Sequence, residues 1–107
     1  MPVYNKLVRD KIPDIIRNDN KKFTTKILDE KQYIIELKKK LKEELEEYLL
    51  ASDDFEALGE LADILELIRT LSETHGENFA KVEQVRQEKA KKRGGFKERI
   101  FLIEVED

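Results

Sequence analysis

Cysteine, long apolar runs and clusters of histidine are all missing from this sequence. The absence of cysteine excludes disulfide bonds and thiolate ligands for a metal. No apolar stretch approaches the roughly 20 residues that span a bilayer, and the N-terminal segment lacks the apolar core of a signal peptide. We therefore expect a cytoplasmic protein that does not contact a membrane.

The single histidine, His75, stands before a glycine, where its ring complements the carboxyl end of a predicted helix. The chain contains no Ser-His-Asp arrangement, no P-loop and no GxGxxG motif. The residues for covalent catalysis by those routes are therefore absent.

Charged residues are abundant, but neither sign dominates. Of the 107 residues 42% are charged, the net charge is −3, and both signs are mixed along the chain. This balance argues against general nucleic-acid binding. The length is that of one domain, residues 1–107, with a modest hydrophobic core.

Apolar periodicity predicts a mainly α fold built on an antiparallel helical hairpin. A long helix over 30–51 and a second helix over 54–74 are separated by a turn at 52–54. Asp29 and Asp53 are the expected N-caps, and Glu56 completes a capping box with Asp53. The apolar face of the second helix is too broad for a hairpin alone. Pairing two hairpins into a four-helix bundle would cover it, which predicts a homodimer or a higher homo-oligomer.

Shorter elements are expected on either side of the hairpin. A short helix over 11–18 is predicted to be capped by Asp10. A third helix over 77–92, with Phe79, Val82 and Val85 turned inward, is predicted to end at the glycines 94–95. Residues 23–28 and 99–105 are rich in β-branched, aromatic and other apolar side chains, so we expect short strands paired in a small sheet, or extended arms.

Two pairs of carboxylates, Glu44 with Glu47 and Glu60 with Asp63, have the spacing that places both members of a pair on one helix face. Folding the helices antiparallel about residues 53 and 54 brings Glu47 level with Glu60, and Glu44 level with Asp63. Four carboxylates in one small volume repel each other unless cations lie between them, and Mg2+ prefers oxygen ligands. The sequence therefore predicts a divalent-metal site between the two helices.

Each pair taken singly is more typical of a solvated helix face than of a set of ligands. Glu60, however, falls inside the apolar face of the second helix, and no Lys or Arg shares that face before Arg69. An ionised carboxylate there costs several kcal/mol unless it is paired. A bound cation accounts for this placement.

The acidic motifs also resemble a known signature. Residues 43–47, EELEE, followed after twelve residues by ELAD at 60–63, are similar to the EExxE…ExxD pattern of the all-α nucleoside triphosphate pyrophosphohydrolases. That superfamily includes MazG and the phosphoribosyl-ATP pyrophosphohydrolases. Residues 4–13, YNKLVRDKIP, and 92–96, KRGGF, resemble the opening and closing motifs of a compact MazG-like branch. The three motifs occur in the same order and span nearly the whole chain.

The resemblance implies a Mg2+-dependent hydrolase, with Mn2+ as a substitute, in nucleotide-pool house-cleaning. Its substrate would be a nucleoside triphosphate, cleaved at the α–β phosphoanhydride to a nucleoside monophosphate and pyrophosphate. Glu43 or Glu47 would orient or deprotonate the attacking water, and the sequence leaves that choice open. The metal ligands would be Glu44, Glu47, Glu60 and Asp63.

Basic residues near both ends are the expected contacts for the triphosphate. Two glycines after residues 91–93 would let phosphates approach the backbone, although the basic residues equally fit the carboxyl end of a helix. Asn5 is the candidate for the base or the ribose. The residues expected to contact phosphate are Lys6, Arg9, Lys92 and Arg93.

Two alternatives to this function remain. The first is phosphoribosyl-ATP pyrophosphohydrolase, a step of histidine biosynthesis with the same chemistry, and product assays on both substrates would separate the two. The second is a non-catalytic helical dimerisation module with an acidic face, for which no nucleotide would release pyrophosphate in the presence of Mg2+.

Overall fold

Four helices make up the regular structure of residues 2–107, the part of the chain that this computed structural model describes. In chain order they are α1 (Ile12–Asn18), α2 (Glu30–Leu49), α3 (Asp54–Glu73) and α4 (Phe79–Arg93). Within these residues no β-strand occurs, so the predicted mainly α class is confirmed.

The α2–α3 hairpin is the centre of the fold, and its ends lie within two residues of the predicted ones. The side chain of Asp29 accepts a hydrogen bond from the backbone N–H of Gln32 at 2.8 Å, and Asp53 accepts one from Glu56 at 2.8 Å. Glu56 reaches back and accepts from the backbone N–H and the hydroxyl of Ser52. Both predicted N-caps and the capping role of Glu56 are confirmed. The connection over residues 50–53 is short, which sets α2 and α3 side by side.

The predicted cap of the first helix is wrong. Helix α1 begins at Ile12, so the capping position belongs to Lys11, and no side chain caps it. Asp10 lies one residue too early to reach the free N–H groups of the first turn. Pro13 lies in that first turn, where its missing N–H leaves no hydrogen bond unmade.

Helix α4 begins two residues later than predicted, because Asn78 provides its N-cap and accepts a hydrogen bond from Lys81 N. It ends at Arg93, and Gly94 follows with a φ of 80°, a conformation that favours glycine. Of its predicted inward residues, Phe79 is half-buried beneath the guanidinium of Arg69, whereas Val82 and Val85 remain more than one-third exposed. Packing against α3 is thus concentrated at the start of α4.

The two segments predicted as strands, 23–28 and 99–105, do not pair into a sheet. Both are free of helix and strand, and no backbone hydrogen bond links one to the other. Both segments have the amino-acid composition of a strand, but a strand forms only when its backbone hydrogen-bonds to a neighbouring strand. The alternative of extended arms fits this outcome.

Little apolar surface is buried within the chain. Leu37 is the one buried apolar side chain among residues 2–107, whereas large apolar side chains on α2, α3 and the C-terminal segment are exposed. The radius of gyration is 18.5 Å, compared with about 13 Å for a compact domain of this length. The dimensions are 62 × 36 × 25 Å. The chain is therefore elongated, and its helices are incompletely covered.

None of the helices in residues 2–107 combines the length and the apolar content that crossing a membrane requires.

Candidate metal centre

The hairpin brings the predicted carboxylates together in two overlapping sets. One carboxylate oxygen from each of Glu44, Glu60 and Asp63 lies within 4.8 Å of the others, and the same holds for Glu43, Glu44 and Glu47. Glu44 belongs to both sets. We call these five residues the acidic cluster. The predicted meeting of Glu44 with Asp63 across the hairpin is confirmed, and it follows from the short turn and the three-residue spacing on each helix.

Burial distinguishes Glu44 from the other members of the acidic cluster. The residue is 8% exposed, whereas Glu60 and Asp63 are half-buried and Glu47 is exposed. The Oε2 atoms of Glu44 and Glu60 are buried and have no hydrogen-bond partner. A buried carboxylate oxygen without a donor is costly, and a cation between the two helices would satisfy both atoms. These two buried oxygens without partners fit a metal ion, and they do so independently of how many carboxylates are present.

The same crowding changes the protonation of the acidic cluster. Burial raises the pKa of Glu44 to about 7, helped by the close approach of the Glu60 carboxyl group and by the negative charges of Glu60 and Asp63. The neighbouring carboxyl group of Glu47 opposes part of that change. Partial desolvation also raises the pKa of the exposed Glu47, with the charge of Glu44 as the next cause. A divalent cation would reverse these repulsions, because it favours the ionised form of each carboxylate.

Two cationic side chains already contact the acidic cluster. Arg9 donates to Asp63, with Nη2 and Oδ1 2.7 Å apart, and Lys40 Nζ lies 3.9 Å from Glu44 Oε1. Arg9 is a predicted phosphate contact, and here it pairs with a predicted metal ligand; its contact with phosphate stays a prediction. Lys40 was missed, although its spacing of four residues from Glu44 on α2 was the signal that could have revealed it. These two positive charges offset only part of the charge that five ionised carboxylates would carry.

The N-terminal segment passes over α2 beside the acidic cluster. Its residues Asn5 and Lys6, both predicted to contact substrate, line a shallow pocket of about 60 Å3. Asn5 has a φ of 46°, in the left-handed region that only a minority of non-glycine residues adopt. The other side chains of the pocket are Leu7, Glu36, Lys39, Lys40 and Glu43. Glu43 belongs to both the pocket and the acidic cluster, so the two adjoin.

The structure does not bring the C-terminal basic residues to this centre. Lys92 and Arg93 are exposed at the end of α4, and no ion pair or hydrogen bond within residues 2–107 joins them to the acidic cluster. Their position matches the structural alternative, in which cations complement the carboxyl end of a helix. A contact between these residues and phosphate stays a prediction.

The donor set is chemically suited to a hard divalent cation. Glu44, Glu60 and Asp63 supply oxygen only, from three carboxylates whose ligand atoms lie close enough to share one ion. Mg2+ usually takes one or two protein carboxylates and keeps water or phosphate at its remaining positions. The exposed side of the acidic cluster, at Glu43 and Glu47, is where such ligands could enter.

No protein-family model, curated protein or solved structure matches this chain.

Proposed function

We propose that this protein is a Mg2+-dependent nucleoside triphosphate pyrophosphohydrolase. The observation that carries the proposal is the meeting of Glu44, Glu60 and Asp63 across the hairpin, with buried oxygens that lack partners. The motifs at residues 43–47 and 60–63 supply the reaction type through their resemblance to the all-α pyrophosphohydrolases. The cleaved bond is the α–β phosphoanhydride, and the products are a nucleoside monophosphate and pyrophosphate.

Glu44, Glu60 and Asp63 hold the metal in this proposal, and Glu47 completes the set from the exposed side. Bound Mg2+ would neutralise phosphate charge and lower the pKa of a coordinated water. The arrangement places oxygen ligands on two rigid helices rather than on loops, which keeps their mutual distances fixed. Mn2+ would serve as a substitute, since it accepts the same oxygen ligands.

The attacking water needs a base beside the metal ligands. Glu43 and Glu47 both lie in the second carboxylate set, within 4.8 Å of Glu44. Glu43 additionally lines the pocket under the N-terminal segment, where Lys6 is available to a phosphate. Glu43→Gln and Glu47→Gln separate the two roles, because loss of a base lowers turnover at saturating metal, whereas loss of a ligand weakens metal binding.

The proposed active form is a homodimer. Leu37 is the one buried apolar side chain in residues 2–107, so a second copy would add hydrophobic stabilisation to the hairpin. A second hairpin packed on the apolar face of α2 and α3 would form a four-helix bundle with the acidic cluster at its side.

The test is pyrophosphate release from a panel of nucleoside triphosphates, with Mg2+ and with EDTA. Wild type should release pyrophosphate only with Mg2+, and Asp63→Ala should lose that activity. Glu46→Ala is the control, since Glu46 is exposed on α2 and lies outside the acidic cluster. Release from phosphoribosyl-ATP alone would move the function to histidine biosynthesis. No release from any of these substrates would favour the non-catalytic helical module.

A further inference from the structure

The C-terminal segment after α4 carries an unusual density of exposed apolar side chains. We call residues 100–107 the C-terminal arm. The arm contains five apolar side chains in six positions, and all of them are 72–88% exposed. They are Ile100, Phe101, Leu102, Ile103 and Val105. Consecutive apolar residues this exposed mark a surface that another protein covers.

The backbone of the C-terminal arm is unpaired as well. The arm is free of helix and strand, and none of its N–H or C=O groups takes part in a backbone hydrogen bond within residues 2–107. The preceding residue, Arg99, adopts a φ of 59°, a sharp change of direction at the base of the arm. Both the side chains and the backbone of this segment therefore lack partners in its own chain.

A second apolar surface lies at the turn end of the α2–α3 hairpin. Leu49 and Leu50 at the end of α2 are 78% and 83% exposed, and Phe55 and Leu58 at the start of α3 are 87% and 67% exposed. We call these four residues the hairpin tip. Apolar residues further along the helices, such as Leu61 and Leu65 at 44% and 49%, are better covered. Pairing of hairpins along their length would leave the hairpin tip as a separate apolar patch.

The exposed area is large enough to require a partner. The chain exposes 10367 Å2, whereas a compact monomer of 12.7 kDa exposes about 6,200 Å2. Obligate dimers bury about 2,000–5,000 Å2 in total, or roughly 1,000–2,500 Å2 per chain. The excess of about 4,000 Å2 exceeds what such an interface removes from one chain. Helix pairing therefore leaves apolar surface for further contacts, such as those of the C-terminal arm.

We infer that the C-terminal arm crosses to a second copy of this chain and packs on the hairpin tip of that copy. Each chain carries both surfaces and leaves both uncovered, so a two-fold dimer would cover two arms and two tips at once. The acidic residues of the arm are Glu104, Glu106 and Asp107, with no basic residue among them, which disfavours anionic lipid or nucleic acid as the occupant. The inference rests on the proposed dimer but not on the proposed catalysis.

The first test is sedimentation of full-length variants. Phe101→Glu should weaken dimerisation on the order of a hundredfold or more, since a two-fold dimer loses two buried aromatic contacts. Phe101→Leu should keep the dimer. Ile27→Glu is a control for added charge at a side chain that is 97% exposed and outside both surfaces. Unchanged helical circular dichroism shows that each variant is folded.

The second test asks whether arms are exchanged. Phe55→Glu should weaken dimerisation as well, because it places a charge on the hairpin tip. When the Phe55→Glu and Phe101→Glu proteins are mixed, one intact arm and one intact tip remain, so heterodimers should form. Monomeric wild type would overturn both the dimer and the arm exchange. A dimeric Phe101→Glu protein would overturn the arm alone, and a mixture that stays monomeric would overturn exchange between copies.

Discussion

Neutralising Glu44 should stabilise the metal-free protein, and the gain should depend on pH. Glu44 is 8% exposed, and burial together with Glu60 raises its pKa from 4.5 to about 7. Below pH 4.5 the residue is protonated in both folded and unfolded chains. As pH rises towards 7 the unfolded chain releases the proton first, so the folded state loses stability over that window.

The magnitude follows from the difference in pKa. The pKa of Glu44 is 4.5 in the unfolded chain and about 7 in the folded chain. This difference lowers the free energy of unfolding by about 1 kcal/mol at pH 5 and by about 3 kcal/mol at pH 8. Glu44→Gln removes this cost while it keeps the size and shape of the side chain. We therefore expect the variant to exceed wild type in free energy of unfolding by about 3 kcal/mol at pH 8, and by far less at pH 5.

Urea unfolding in EDTA at pH 5 and pH 8, at one protein concentration, measures this difference. Glu46→Gln is the control, because Glu46 is exposed on the same helix. Mg2+ should shrink this difference: at 100 times the dissociation constant, binding stabilises wild type by about 2.7 kcal/mol, and the variant should gain less. A Glu44→Gln protein that is no more stable than wild type at pH 8 in EDTA would refute the reasoning.

Two further predictions concern the hairpin that carries the site. Leu37→Ala should lower the free energy of unfolding by about 3 kcal/mol, because Leu37 is 2% exposed. Ile27→Ala, at a residue that is 97% exposed, should change it by less than about 0.5 kcal/mol. Equal effects of the two substitutions in urea unfolding would contradict the assignment of Leu37 to the core. Asp53→Ala should cost about 1 kcal/mol through loss of the hydrogen bond to Glu56 N, and Asp53→Asn should retain most of it. Thermal unfolding that leaves both Asp53 variants equal to wild type would show that this cap contributes nothing.

The hairpin and its carboxylates were predictable because they depend on local rules. Residue spacing sets which side chains share a helix face, and Asp53 marks where α3 begins. Together these determine the register of an antiparallel pair, so Glu44 and Asp63 could be placed opposite each other. The burial of Glu44 follows from its position beside the apolar face of α2.

The contacts of the N-terminal segment were not predictable in the same way. The ion pair between Arg9 and Asp63 joins residues 54 positions apart, and the segment before α1 has no periodicity that fixes its path. The predicted strands failed for a related reason. Residues 23–28 and 99–105 have the apolar and β-branched composition that favours a strand. A strand forms only where another segment lies alongside to pair with it, and composition does not identify that segment.

The most direct test of the metal centre between α2 and α3 is to measure Mn2+ binding to the purified protein by calorimetry. This measurement does not depend on choosing the right nucleotide. Wild type should bind Mn2+ in competition with Mg2+, and Asp63→Ala and Glu60→Gln should each lose most of that affinity. The Glu46→Gln control should bind as wild type does. Absence of Mn2+ binding by wild type, or equal binding by Asp63→Ala, would contradict a metal centre between α2 and α3.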